Sequence, residues 1–253
     1  MRFPAARLFF LLGIVFVLAS CAAHTPRYAP DYSNPVYTVA VLPFYNVTND
    51  VGGAMGLRED FQRRLEHRHY KFMPLKEVDE ILLNRMGITL GDQLEMTDAM
   101  ELGKVLGVDG LVYGYVLDFD DVTTGVYNVK KVRAGFKLVD AKTGKVLWTG
   151  ARGVKSVIAG GKAGVGISVL KEAAGEDSFS SYGIKGLDEI EGLDDWHIIR
   201  AGATKRFEDA AMLSLGEMLI TKAFGVHLWL ESNTMMEMVM RGFPSGPGTP
   251  RHE

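Results

Sequence analysis

Apolar and polar positions divide the chain into stretches of different period. Residues 8–19 are a nearly unbroken apolar run behind Arg2 and Arg7. At about twelve residues the run is too short for a stable membrane span, and it has the layout of an export signal. Residues 37–47 (Tyr-Thr-Val-Ala-Val-Leu-Pro-Phe-Tyr-Asn-Val) are β-rich and mostly apolar, which predicts a buried strand that Pro43 ends or bends. Asn49 or Asp50 can cap the helix that follows. Leu57, Phe61 and Leu65 form its buried stripe, with Arg58, Arg63, Arg64 and Glu66 elsewhere around it. A short strand is expected near residues 71–73. Leu75, Val78 and Leu82 mark a second helix ending near Gly87. Thr97 caps a third, with Asp98 and Glu101 favourable in its first turn, Ala99, Leu102 and Leu106 inside, and Gly107 as its stop.

The period then changes to two. Leu111, Tyr113, Tyr115, Leu117 and Phe119 fall on one face of a strand. In residues 126–140, Val132, Ala134, Phe136 and Leu138 alternate with Lys131, Arg133 and Lys137, which predicts one buried and one wet face. Asp140 to Gly144 reads as a turn, with Gly144 for a positive φ, and residues 145–152 return as the hairpin partner. Residues 158–200, rich in Gly and Ser and then in acids, read as a long insertion. Residues 203–222 predict a helix with Phe207, Ala211, Leu215, Met218 and Leu219 inward. Trp229 and the methionines 235, 236, 238 and 240 suit a last short helix, and the Pro- and Gly-rich end from Gly242 is expected to fray.

The order β-α-β-α-α-β-β-β-α predicts an α/β fold with a mixed sheet covered by helices. The expected organisation is a signal peptide at 1–20, a lipidated N-terminus and extended tether at 21–35, an α/β domain at 36–225 carrying the insertion at 158–200, and a short helix and disordered tail at 226–253. The tether, fifteen residues with three prolines, spans at most about 50 Å.

Composition sharpens the compartment. The signal ends in Leu18-Ala19-Ser20-Cys21, which resembles a lipobox: small residues fit the peptidase, and the Cys21 thiol takes the diacylglyceryl group. Cys21 is the only cysteine, so no intrachain disulfide can form. Ala22 and Ala23 follow it in place of an aspartate, which favours the outer membrane. Losing Arg2 and Arg7 with the signal takes the net charge from −3 to about −5, a balance that argues against nucleic acid as a partner.

With these residues in hand, the chain resembles the bacterial lipoproteins whose domain is similar to the TolB amino-terminal domain, a group that includes CsgG, LpoB and PelC. The similarity lies in Thr38-Val39-Ala40-Val41-Leu42-Pro43-Phe44, in Leu106-Gly107-Val108-Asp109-Gly110-Leu111-Val112-Tyr113-Gly114, and in the hairpin from Leu138-Val139-Asp140 to Val146-Leu147-Trp148. Val78-Asp79-Glu80 and Gly87-Ile88-Thr89 point within that group to a neisserial lipoprotein family. The resemblance implies a TolB-like fold and an envelope role, and it carries over no catalytic residues.

Candidate chemistry is sparse. His67 and His69 are spaced for a strand rather than for a helical metal pair, and a solvated helix end explains them. Gly52, Gly53 and Gly56 follow a strand but match no phosphate-binding pattern. Asp118, Asp120 and Asp121, and Glu189, Glu191, Asp194 and Asp195, lack calcium-loop spacing and read as solvated acidic loops. Lys131, Arg133 and Lys137 read as a solvated basic stripe, with an acidic partner or anionic glycan as the alternative. The methionines 235–240 read as core or a frayed helix, with an adaptable contact surface as the alternative. Val165, Ile167 and Val169 alternate with small residues like a short piece of barrel strand. No catalytic residues, cofactor or metal are expected.

The resulting expectation is a non-enzymatic outer-membrane lipoprotein, facing the periplasm, that binds envelope proteins and itself in assembly or export. Its partners are the membrane, through the anchor, and other proteins, without a small-molecule substrate. The alternatives are a subunit of an oligomeric export channel and an enzyme acting on cell wall or glycan. Replacing the one lipidated side chain is the direct check: Cys21→Ser should move the protein from the membrane to the soluble fraction of lysed cells while its circular dichroism stays unchanged. Retention in the membrane fraction would refute the anchor.

Overall fold

The computed structural model describes residues 28–123, 127–159, 183–200 and 228–248. The signal, Cys21, most of the tether, the run at 163–170 and the helix expected at 203–222 lie outside the described residues. The elements in chain order are β1 (Thr38–Val41), β2 (Tyr45–Asn46), α1 (Val51–Leu65), β3 (Lys71–Phe72), α2 (Leu75–Met86), a 3-10 turn (Gly91–Met96), α3 (Ala99–Leu106), β4 (Gly110–Thr123), β5 (Tyr127–Asp140), β6 (Val146–Ala159), β7 (Trp196–Arg200) and α4 (Trp229–Arg241). The sheet runs β3-β1-β4-β5-β6-β7, with β2 also on β4. It is mixed: β1 and β2 lie parallel to β4, β5 is antiparallel to β4 and β6, and β7 is parallel to β6.

The expected single strand breaks at Pro43 and Phe44 into β1 and β2. Leu42 donates to Val112 O and Val47 to Val116 O, so five positions on this side oppose four on β4 and one extra residue is looped out between the two strands. Phe44, freed by the break, turns its ring onto Gly114, where a Cβ would sit 2.4 Å from the ring. Asp50 caps α1 by accepting from the Gly53 N–H at 2.7 Å. The cap of α3 is Asp98, one residue beyond the expected Thr97: Asp98 accepts from the Glu101 N–H, and the Thr97 hydroxyl bonds the Glu101 carboxylate instead. Gly107, at φ 69°, closes α3 as expected.

Both faces of the sheet are covered. On the first, Leu57, Phe61 and Leu65 of α1 and Met235, Met236 and Met240 of α4 pack on Val39, Val112, Val132, Phe136 and Val154. Phe61 lies 5.0 Å from Phe136 and 5.4 Å from Phe243, ring to ring. Met235, Met236 and Met240 are thus core, while Met238 is half-buried. On the second face, Val78, Leu82, Leu102 and Leu106 of α2 and α3 cover Ala40, Leu42, Leu111 and Ala141.

Two expectations fail here. Arg58 is not on the outer side of α1: it is buried, donates from Nε and Nη2 to the Val41 carbonyl, and forks onto Asp79 of α2 at 2.7 and 3.0 Å. The bidentate guanidinium joins α1, the end of β1 and α2, a link no helical period predicts. Nor is the chain frayed over residues 242–248. Phe243 is buried, Gly246 donates to Arg68 O and Gly248 to His69 O. Arg68 is itself buried and donates to the carbonyls of Phe243 (2.6 Å) and Met240, so one side chain serves the carbonyl end of α4 and ties down the segment after it.

The Gly107–Gly110 passage is held by Asp109. Its carboxylate accepts from the Thr38 N–H and hydroxyl and pairs with Lys142 at 2.8 Å, joining the starts of β1 and β4 to the β5–β6 turn. Burial would raise its pKa, but Lys142 and the two Thr38 donors prevail and hold it at about 2. With the folded pKa below the unfolded one, the stabilisation is complete above about pH 4 and is lost as pH falls towards 2. Asp109→Asn should therefore lower unfolding stability by about 1 kcal/mol at pH 7 after solvent screening. In urea titrations the gap to the parent should narrow towards pH 3.

Candidate functional site

The second face of β5 carries Lys131, Arg133 and Lys137 as the alternation predicts, but it is not wet. Arg133 is fully buried. Its first partner arises from a register shift in β4 between Val116 and Asp118. One extra residue there, Leu117, flips everything beyond it. Phe119, expected beside Tyr115 and Leu117, crosses to the first face and packs with Val132, while Asp118 turns under Arg133. Asp118 Oδ2 accepts from Arg133 Nε at 2.5 Å, and Oδ1 accepts from Lys131 Nζ at 2.7 Å. Burial works against the Lys131 charge, but Asp118, with help from Asp120, pushes its pKa up to about 12. Asp121 lies 3.9 Å from Lys130. The acids at the end of β4 are thus partners of β5, not a solvated loop or a cation site.

The rest of the cover comes from the end of the expected insertion. Residues 183–195 form a strap that lays Ile184, Leu187, Ile190 and Leu193 over Tyr115, Leu117 and Ala151. Two of its acids meet the basic stripe, Glu189 with Lys137 at 3.1 Å and Asp194 with Arg133 at 3.8 Å, and Asp195 pairs with Arg152 of β6 at 3.1 Å. The strap leads into β7, whose Trp196 ring receives Lys155 Nζ at 3.9 Å and the Arg133 guanidinium at 5.1 Å. Two features that the sequence shows as separate solvated runs, one basic and one acidic, are each other's partners.

A cleft opens where the strap stops short of the 3-10 turn and α3. Its volume is about 240 Å³. Tyr45, Tyr113, Tyr115 and Lys137 line its floor. The Tyr45 and Tyr115 rings stack with centroids 6.2 Å apart, and Lys137 Nζ sits 5.4 and 5.9 Å from the Tyr113 and Tyr115 centroids. Leu94, Glu95 and Asp98 form one wall; Lys185 and Glu189 form the other. Burial raises all three phenol pKa values, and nearby carboxylates add to it: Glu95 and Asp92 at Tyr45, Asp98 at Tyr113, Glu189 and Glu95 at Tyr115. The tyrosines stay neutral at physiological pH, so they offer ring faces and O–H groups rather than a base or a nucleophile.

Sequence reasoning missed this cleft. Tyr113 and Tyr115 were legible as alternating inward residues, but Tyr45 was assigned to a single buried strand and Lys185 to an undivided insertion. His67 and His69 are exposed at the end of α1; His69 Nε2 donates to Tyr28 O at 2.5 Å. Gly53 lies in the first turn of α1 against the Phe119 ring. Among the described residues no group of three or more His, Cys, Asp or Glu side chains is placed to hold a metal ion, and no helix is long and apolar enough to cross a membrane.

Fold and site together define a mixed α/β domain with a charged, strap-covered sheet face and a side-chain-sized aromatic cleft. The family model described as "Putative lipoprotein GNA1162-like" matches residues 30–199, and the chain belongs to that family of bacterial lipoproteins. The Neisseria meningitidis lipoprotein NMB1124/NMB1162 is 27% identical over 152 residues, covering 57% of this chain and 69% of the relative. The crystal structure of lipoprotein GNA1162 from Neisseria meningitidis is similar at 23% identity and a TM-score of 0.45, covering 54% of this chain and 94% of that one. The LpoB C-terminal domain from Escherichia coli is similar at 11% identity and a TM-score of 0.34, covering 56% and 93%. A PelC dodecamer from Paraburkholderia phytofirmans is similar at 17% identity and a TM-score of 0.32, covering 52% and 77%.

The buried ion pair sets a stability test. Arg133→Ala leaves Asp118 buried with one cation fewer, and should cost about 3–5 kcal/mol in urea unfolding. A loss below about 1 kcal/mol would mean that the face is hydrated in solution.

Proposed function

We propose that this chain is an outer-membrane lipoprotein, anchored through acylated Cys21 and facing the periplasm, that binds other envelope proteins in assembly or export and performs no catalysis. The cleft between the strap and the 3-10 turn is the observation that carries this reading. It combines two half-buried tyrosines, Tyr45 and Tyr113, which give large contact area at low entropic cost, with a volume of about 240 Å³. Small-molecule sites run from about 300 to 1,000 Å³, so this cleft suits one anchoring side chain of a partner better than a substrate or cofactor. Membership of a lipoprotein family supports the anchor, and the small residues after Cys21 support the outer membrane.

A photo-crosslinking residue placed at Thr97, on the cleft wall, should trap a discrete partner in living cells. The same residue at Glu237, on the exposed side of α4, should not. An adduct of twice the chain mass would identify the partner as a second copy. Absence of any cleft-specific adduct would overturn the reading.

A further inference from the structure

The cleft's acidic wall points to the chemistry of its occupant. From Gly87 to Gly103 the chain carries Asp92, Glu95, Asp98 and Glu101 and no lysine or arginine. Three of these acids act on the tyrosine floor, raising the phenol pKa values from positions around the mouth. The same segment leaves Met96 79% exposed and Met100 42% exposed beside them. Exposed methionines give a polarisable surface that repacks around apolar side chains, and here they are interleaved with carboxylates. The opposite wall supplies Lys185 and Glu189, and Glu189 holds Lys137 of the floor.

We propose that this wall and cleft dock a basic segment of a partner protein, with one arginine or lysine side chain entering over Tyr45 and Tyr113 and a neighbouring apolar side chain resting on Met96 and Met100. Lys137 displays the arrangement from within: its ammonium lies 5.4 Å from the Tyr113 centroid with a carboxylate 3.1 Å away. An incoming cation finds the same two elements, ring faces and the Glu95 and Asp98 carboxylates. An acidic peptide or an anionic glycan would meet the 3-10 turn's charge instead. The inference rests on the protein-binding reading and adds the sign of the partner's charge.

The test uses the full chain, purified in detergent and carrying ¹³C-labelled tyrosine. The probes are capped tetrapeptides Ala-Arg-Leu-Ala, Ala-Gln-Leu-Ala and Ala-Glu-Leu-Ala. The arginine peptide should shift the Tyr45 and Tyr113 ring signals and bind about fivefold more tightly than the glutamine peptide, the gain of one ion pair. That preference should shrink in the Glu95→Gln variant, which leaves Asp98 as the cap of α3, and at high salt. Equal binding of the three peptides, or no ring shift with arginine, would overturn the proposal. If Thr97 still traps a partner in cells in that case, protein binding stands and the cationic anchor falls; if it traps none, both fall.

Discussion

Strand β5 lies in the interior of the sheet, paired along its length with β4 and β6, and both of its faces are covered, one by helices and the other by the strap. That constraint organises the molecule. Its apolar face is covered by helices, as alternation demands. Its other face carries three cations at every second or fourth position, and burying them requires anions at matching spacing. Asp118 arrives through a one-residue shift in β4, and Glu189 and Asp194 arrive on the strap. The apolar side of the strap then closes over Tyr115 and Leu117, and its limit defines the aromatic cleft. Core, ion pairs and cleft are thus successive consequences of one buried basic strand.

Much of the fold was readable from residue order. Helix α1 through its stripe, α2 through Gly87, α3 through Gly107 and the β4–β5–β6 meander all follow from period and capping chemistry, because each signal is local. What was not readable depends on contacts remote in sequence. A bulge leaves no compositional mark, so Phe119 was placed on the wrong face by strict alternation. Arg58 satisfies any helical wheel as an outer residue; only the meeting of α1 and α2 at the end of β1 makes it interior.

The site was less legible than the fold for the same reason. Lys137 and Glu189 are separated by 52 positions, and each alone has an ordinary solvated explanation. A basic stripe on a strand with an otherwise apolar partner face, followed by an acidic segment with apolar residues spaced between its charges, is the joint signal. It becomes specific only once the strap is seen lying over the stripe.

The two ends of the described chain leave from one pole. Asp31 N–H donates to the Gly246 carbonyl, and both lie beside the β1–β3 edge where β4 begins. From there the fourteen residues of β4 extend about 45 Å to its far end. Any force applied where the described residues begin therefore acts on a lever arm rather than on a sphere. A tilt of about 10° at the base sweeps the distal ends of β4 and β5 through about 8 Å, enough to carry them past a neighbouring side chain while the base stays in place.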